Sequence, residues 1–128
     1  MLRVDARSLD RFDLSEAYLA GASLRGQRCR RVILRSATLR EADLSDADLR
    51  GANLSEANVQ SADLRGTDLR GTRLDSADFT GALYDARTRW PRGFNPEAAG
   101  AVLSSHHQEG GGRVAARFLT LVRARRSF

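Results

Sequence analysis

Leucine recurs at every fifth residue through most of this chain. Leu9, Leu14, Leu19, Leu24, Leu34, Leu39, Leu44, Leu49, Leu54, Leu64, Leu69 and Leu74 share one phase. Cys29 and Val59 fill its gaps, and Phe79 and Tyr84 extend it, giving sixteen centres without a slip. Two residues before each centre lies a second restricted position. Ten of these sixteen are Ala: 17, 22, 37, 42, 47, 52, 57, 62, 77 and 82. The residue between the two is often Asp or Asn, as at Asp43, Asp48, Asn53, Asn58, Asp63, Asp68 and Asp78. The residue two after the centre is often Gly, Ser or acidic.

A period of five fits neither an α-helix nor a long strand. On a helix, residues five apart are rotated by about 140°, and no apolar face results. On a strand, odd spacing sends successive leucines to opposite faces. A short extended piece can point Ala and Leu the same way, if a tight turn then redirects the chain. Repeated turns of one hand make a coil with Ala and Leu inside, and successive coils stack at about 4.8 Å, the hydrogen-bonding distance between strands. Small polar residues and Gly suit such turns. The interior is then expected to follow phase alone, with Leu44, Leu49, Leu54, Leu64 and Leu69 buried beside Ala42, Ala47, Ala52 and Ala62.

The tandem motif A-(D/N)-L-x-x, as in Ala42-Asp43-Leu44-Ser45-Asp46-Ala47-Asp48-Leu49-Arg50-Gly51-Ala52-Asn53-Leu54, resembles the pentapeptide-repeat family over roughly residues 5–86. The resemblance implies an all-β fold, a right-handed quadrilateral β-helix with four pentapeptides per coil. Sixteen units imply about four coils and a rod about 19 Å long. The segment from Gly81 to Glu97, with Trp90, Pro91, Phe94 and Pro96, is similar to the C-terminal ending of many such proteins, where the chain leaves the last coil and covers it. The expected organisation is a rod over 1–86, a cap over 87–103, and a linker with a basic amphipathic helix over 104–128.

Departures gather at the start and in the second coil. Phe12 stands at an Ala position and is a candidate plug for the N-terminal end. Gln27 and Cys29 replace Ala and Leu beside Arg28, Arg30 and Arg31, and an inward Gln needs a hydrogen-bond partner. Local distortion is expected over 26–32. Thr67 and Thr72 are mild replacements for Ala.

Charge changes the picture by region. All 21 basic residues are Arg, which suits a GC-rich bacterial genome, and 16 acids leave a net charge of +5. Residues 25–40 hold six Arg and no acid, residues 41–86 are net −6, and residues 87–128 are net +6. A 20-residue coil stacks Arg30, Arg50 and Arg70 on one face under Asp10, with Arg28, Asp48 and Asp68 one column over. This column is either a basic stripe for phosphate or an acidic protein surface, or a solvated ladder of mixed charge. The second is favoured, because charge runs are usually solvated faces. The resemblance also brings in members that protect or modulate DNA gyrase by imitating duplex DNA. That mode wants a long acidic face, which the Arg25–Arg40 cluster opposes.

No catalytic set emerges. Adjacent Ser104, Ser105, His106 and His107 read as a polar linker rather than a triad or metal site. Cys29 falls on an interior phase and reads as a small buried hydrophobe. Gly110-Gly111-Gly112 follows no strand and has no Lys-Ser/Thr partner for a phosphate loop. No cofactor or metal is expected, and the chain reads as no enzyme. One Cys supports no internal disulfide. No apolar run approaches the roughly 20 residues of a membrane span, and the start lacks the apolar stretch of a signal peptide. A cytoplasmic protein is expected.

Asn95-Pro96-Glu97 reads as a helix start over 96–103, with a capping Asn and Pro at the first turn. Residues 113–123 read as a second helix, with Val114, Phe118, Leu121 and Val122 on one face. Arg117, Phe118, Leu121, Val122 and Arg123 join Arg30, Arg50 and Arg70 as candidate partner-binding residues. The helix is expected to dock at the C-terminal end, most readily in a homodimer. The alternative is a nucleic acid or a membrane surface bound through the basic tail. The functional expectation is a non-enzymatic protein-binding or scaffold module.

Overall fold

The computed structural model describes residues 8–105. The chain winds as a squared coil that returns to the same face every 20 residues. Parallel bridges join Asp13 to Ile33 and Ile33 to Asn53, then Asn53 to Arg73, and the other faces repeat the register. Face A is centred on Leu9, Cys29, Leu49 and Leu69. Face B follows Leu14, Leu34, Leu54 and Leu74; face C follows Leu19, Leu39, Val59 and Phe79; face D follows Leu24, Leu44, Leu64 and Tyr84.

The five-residue unit makes one corner and one rung. At each corner the N–H of the Ala position donates to the carbonyl of the preceding centre, as Ala47 to Leu44 and Ala52 to Leu49, both at 3.0 Å. The third residue of every such turn has positive φ, from Arg11 at 64° to Gly81 at 75°. That is the mark of a type II turn, and it explains why Gly recurs there. Several of these corners nonetheless carry side chains, including Glu41, Asp46 and Ser61. Each bears a left-handed penalty of roughly 1 kcal/mol, offset by the turn bond and the rung beneath. Rungs are closed by alternate bonds: Leu44 N–H to Asp63 O and Asp63 N–H to Ala42 O, both 2.9 Å.

The Asp or Asn before each centre holds the corner from outside. Asp43 Oδ1 accepts from the Ser45 N–H at 3.0 Å and the Ser45 hydroxyl at 2.6 Å. Asn53 does the same for Ser55, at 2.9 and 2.7 Å. This is the local Asx bond that makes these residue types turn formers.

Leu44, Leu49, Leu54, Leu64 and Leu69 are fully buried, with Ala42, Ala47, Ala52 and Ala62 beside them. Phase alone does not decide burial, however. Leu14, Leu19 and Leu24 of the first coil are half-buried, as is Phe12. Thr67 sits inside at an Ala position because its hydroxyl donates to the Leu44 carbonyl at 2.7 Å, and Thr88 repeats this on Leu64 at 2.8 Å.

Three sequence expectations are corrected here. Residues 26–32 are not distorted: Gln27 N–H bonds Leu24 O at 3.0 Å, Val32 N–H bonds Cys29 O at 3.2 Å, and the Arg28–Asp48 bridge is in register. Cys29 simply fits, smaller than Leu and fully buried. The count of about four coils does not hold either, because rungs continue past the repeat. Asp68 bridges Arg89, a spacing of one residue more than the coil, and strand β1, Leu83–Tyr84, pairs in parallel with strand β2, Val102–Leu103.

The third correction is the helical appendage. Over 96–103 there is a single turn, 96–100, and then β2. Asn95 caps the turn as expected, its Oδ1 accepting from Ala98 N–H at 3.2 Å. Gly100, at φ 91°, then ends it, with Gly100 N–H on Glu97 O and Ala101 N–H on Pro96 O, both 3.0 Å. This pair of hydrogen bonds around a left-handed Gly is the Schellman stop. The free edge of β1 takes the next residues: Val102 N–H bonds Ala82 O and Ser104 N–H bonds Tyr84 O, both 2.7 Å. Rung bonds on a waiting edge outweigh a second turn of helix, since short helices are marginal. The helix expected over 113–123 lies outside the described residues.

Candidate functional site

Face A carries the charged columns, and the structure places Arg30, Arg50 and Arg70 along it. None of the three stands free. Arg50 grips Asp48 with Nε and Nη2, both at 2.9 Å, and Arg70 grips Asp68 at 2.9 and 2.6 Å. Arg30 Nε reaches down to Asp48 Oδ2 at 2.9 Å, and Arg28 Nε reaches up to Asp10 at 3.1 Å. Arg50 also lies 3.8 Å from Asp68. The face is therefore a ladder of alternating charge, with two-pronged rungs and diagonal ties.

These ties set the acidity of the carboxylates. The two-pronged Arg50 bond holds the Asp48 carboxyl far below its usual range against the opposing effect of burial, with Arg30 adding to it. Arg70 does the same for Asp68. Burial pushes Asp10 up, but the Arg30 N–H and the Arg28 guanidinium more than offset it. Arg50 and Arg70 are raised in turn by their aspartates. Asp10, Asp48, Asp68, Arg50 and Arg70 therefore stay charged at neutral pH.

The second-coil arginines do not form a patch. Arg28 and Arg30 lie on face A, Arg31 at the corner between A and B, Arg35 on face B, Arg40 on face C and Arg25 on face D, a belt around the rod. Arg35 lies 3.7 Å from Glu56, and Arg25 lies 3.9 Å from Asp46.

One tie was missed in the sequence. Arg87 Nη1 donates to Asp46 Oδ1 at 2.9 Å, across 41 residues, while its Nη2 holds Asp85 at 3.1 Å. The pair crosses the corner at Gly66, where a Cβ would run into Asp46 Oδ1 and sit 2.8 Å from Arg87 Nη1. Glycine is required there by space as well as by its φ of 72°. The signal was available, because Asp46, Gly66 and Ala86 are spaced by the 20-residue coil.

The C-terminal end is sealed by rings. Trp90 stacks on Phe94 with centroids 5.0 Å apart, and Phe79 and Tyr84 meet Trp90 edge-on at 5.8 and 5.6 Å. Trp90 Nε1 is buried with no hydrogen-bond partner among the described residues.

Cys29 lies inside face A. Burial, with Asp10 and Asp48 nearby, pushes its thiol up to about 12, so it stays protonated and is no nucleophile at neutral pH. Among the described residues, no group of three or more His, Cys, Asp or Glu is placed to hold a metal ion. No helix among them is long and apolar enough to cross a membrane. Ser104 and Ser105 are described; His106, His107, Arg117, Phe118, Leu121, Val122 and Arg123 lie outside the described residues.

A squared coil of five-residue units with turn-bonded Asp and Asn defines a class of β-solenoid. The family model for pentapeptide repeats matches residues 13–51 and 52–83 with eight copies of its unit. That is more than half of the chain, which therefore belongs to the pentapeptide repeat family, whose members form a right-handed β-helix.

A crystal structure of alr5209, a pentapeptide repeat protein from Nostoc Pcc 7120, is 33% identical, covers 75% of this chain and 85% of that one, and has a TM-score of 0.45. Rfr23, from the cyanobacterium Cyanothece 51142, is 32% identical, with 65% and 63% covered and a TM-score of 0.47. A pentapeptide repeat protein of the Arabidopsis thaliana thylakoid lumen is 26% identical, with 64% and 68% covered and a TM-score of 0.45. No curated protein matches the chain.

Proposed function

We propose that this chain is a non-enzymatic, cytoplasmic protein-binding or scaffold module whose rod offers a partner a fixed raster of charged side chains. The observation that supports this is the face A ladder. Arg50 and Arg70 are each held by two bonds to an Asp of their own rung. Side chains already ordered before binding lose less rotamer freedom when a partner arrives. Alternating Arg and Asp at coil spacing suit a protein surface with alternating charge. They suit neither a phosphate backbone nor imitation of one, so modulation of DNA gyrase by DNA mimicry is not the reading taken. Arg117, Phe118, Leu121, Val122 and Arg123 then set the partner or the oligomer.

The test is a photo-crosslinking residue at position 50 on face A and, separately, at position 38 on face C, in the native host. One protein crosslinked from position 50 and not from position 38 is the expected result. Nucleic acid bound to the purified chain, or inhibition of gyrase supercoiling at low-micromolar protein, would overturn it.

A further inference from the structure

Most arginines of the rod are tied to an acid. Among the described residues, Arg11, Arg31, Arg40, Arg89 and Arg92 make no ion pair. Two of these share a column. Arg11 and Arg31 stand one coil apart at the corner between faces A and B, both exposed, on rungs about 4.8 Å apart. Their N–H groups bond Arg30 O and Arg50 O, both at 2.9 Å, so the rung ladder fixes both positions.

The acids beside this pair are already held. Asp10 accepts from Arg28 Nε and from the Arg30 N–H. Asp13 accepts from Ser15, and Asp48 from Arg30 and Arg50. The segments on either side of residues 8–105 hold seven Arg and two acids, Asp5 and Glu109. They carry the wrong net charge to neutralise the pair.

The coil does not call for arginine here. Arg11 and Arg31 hold left-handed backbone, at φ 64° and 58°, and the same column continues as Gly51 and Gly71, at 74° and 75°. Glycine adopts that conformation without a Cβ penalty. Gly51 also makes room for its neighbour, because a Cβ there would lie 3.1 Å from Arg31 Cγ. The corner thus presents two long cations, without an anion, on backbone that glycine would occupy more easily. Side chains kept in a disfavoured conformation with no packing reason point to a use.

We propose that the Arg11–Arg31 corner takes a short acidic segment of a protein partner, with two Asp or Glu carboxylates on one side of an extended stretch. This rests on the protein-binding reading above and names the chemistry that one corner of the rod would recognise. Carboxylates two residues apart on a strand are separated by about 7 Å, within reach of two arginines rooted one rung apart. Each guanidinium fork matches a carboxylate. A longer polyanion such as a nucleic acid fits less well. Further down the corner it meets bare Gly51 and Gly71, flanked by Asp48 and Asp68, and toward face B it meets Asp13 and Glu16.

The test is fluorescence anisotropy of the full chain, at low ionic strength, with a short rhodamine-labelled peptide of alternating Glu and Ser. The wild type is expected to bind it. Arg11→Gly with Arg31→Gly is expected to weaken binding roughly tenfold, as loss of two exposed ion pairs allows, while melting no lower than the wild type. Arg40→Gln with Arg92→Gln removes the same charge elsewhere and is expected to change binding less than about twofold. A wild type that does not bind the peptide would overturn the proposal. So would equal losses in the two double variants, or tighter binding of a short oligodeoxynucleotide at the same salt. The photo-crosslink from position 50 separates this proposal from the reading it rests on. A crosslink that forms, beside peptide binding that ignores Arg11→Gly with Arg31→Gly, leaves the protein-binding reading standing and removes the acidic segment.

Discussion

Leu24 and Leu44 occupy the same phase of face D, one coil apart, yet Leu24 is half-buried and Leu44 is fully buried. The repeat sets both two residues after an Ala, Ala22 and Ala42. What differs is the layer above. Leu44 has a described coil on each side, whereas Leu24 has one below it and none above it among the described residues. Tyr84, last of the same column, is again buried, at 8% exposure, because the cap and β2 stand in for the missing coil. In a rod, burial is a property of the stack, and an end must be closed by something other than the repeat.

The sharpest way to break this comparison is to truncate the same residue at the two levels. Leu44→Ala is expected to cost about 2–5 kcal/mol, as core truncations do. Leu24→Ala, with its half-open site, is expected to cost less than half as much. Urea unfolding of the two variants measures the difference, and equal losses would mean that the first coil is as enclosed as the second.

Next in size is the closure at the other end. A Cβ at position 100 would lie 3.2 Å from Thr80 Cα, at a φ of 91°. Gly100→Ala is therefore expected to cost roughly 1–2 kcal/mol from the left-handed penalty and to loosen β2 from β1. Faster amide exchange at Val102 and Ser104, with Leu44 unchanged, would show that the cap opens independently of the rod.

How far these features could be read in advance differs by region. The interior columns and the diagonal ties of face A follow from phase, since Arg30 and Asp48 are separated by one coil less two residues. The cap does not. Asn95 and Pro96 specify a turn start, but its length was decided by a free edge of β1 that exists only once the coil is wound. Gln27 and Cys29 misled in the other direction: two unusual residues suggested distortion, but backbone bonds carry the coil and tolerate a smaller centre. Arg87–Asp46 required knowing which corner lacks a Cβ.

Acid should separate the rod from its charges. Asp10, Asp13, Asp43, Asp48, Asp68, Asp78 and Asp85 all sit below the ordinary carboxylate range. A carboxyl whose folded pKa is depressed contributes stability that is complete above its unfolded value of about 4 and is lost as pH falls through the folded value. Stability is thus expected to be flat from neutral pH down to about 4 and to fall below it, followed by circular dichroism in fixed urea. A rising stability below pH 4 would contradict the ladder.

The smallest effect concerns a single atom. The Cys29 thiol is expected to resist alkylation at pH 8 in the native protein and to react at once in denaturant. Native labelling as fast as in a free thiol would place that centre outside the coil.

The one-residue excess between Asp68 and Arg89 bears on how such a chain can change length through descent. Each pentapeptide is one side of the square, so losing one unit would turn everything below it by a quarter revolution. Every outward column would then be rewired against a stranger. Losing a whole coil of 20 residues would keep all four faces in line and shorten the rod by about 4.8 Å. A single extra residue is compatible with neither, and it occurs where the repeat ends, before a rung of β1 with β2 whose partners are 19 residues apart rather than 20. The rod thus has a reading frame of its own. Lineages can lengthen it by coils, rotate its surface by fives, and absorb odd insertions only at the rim.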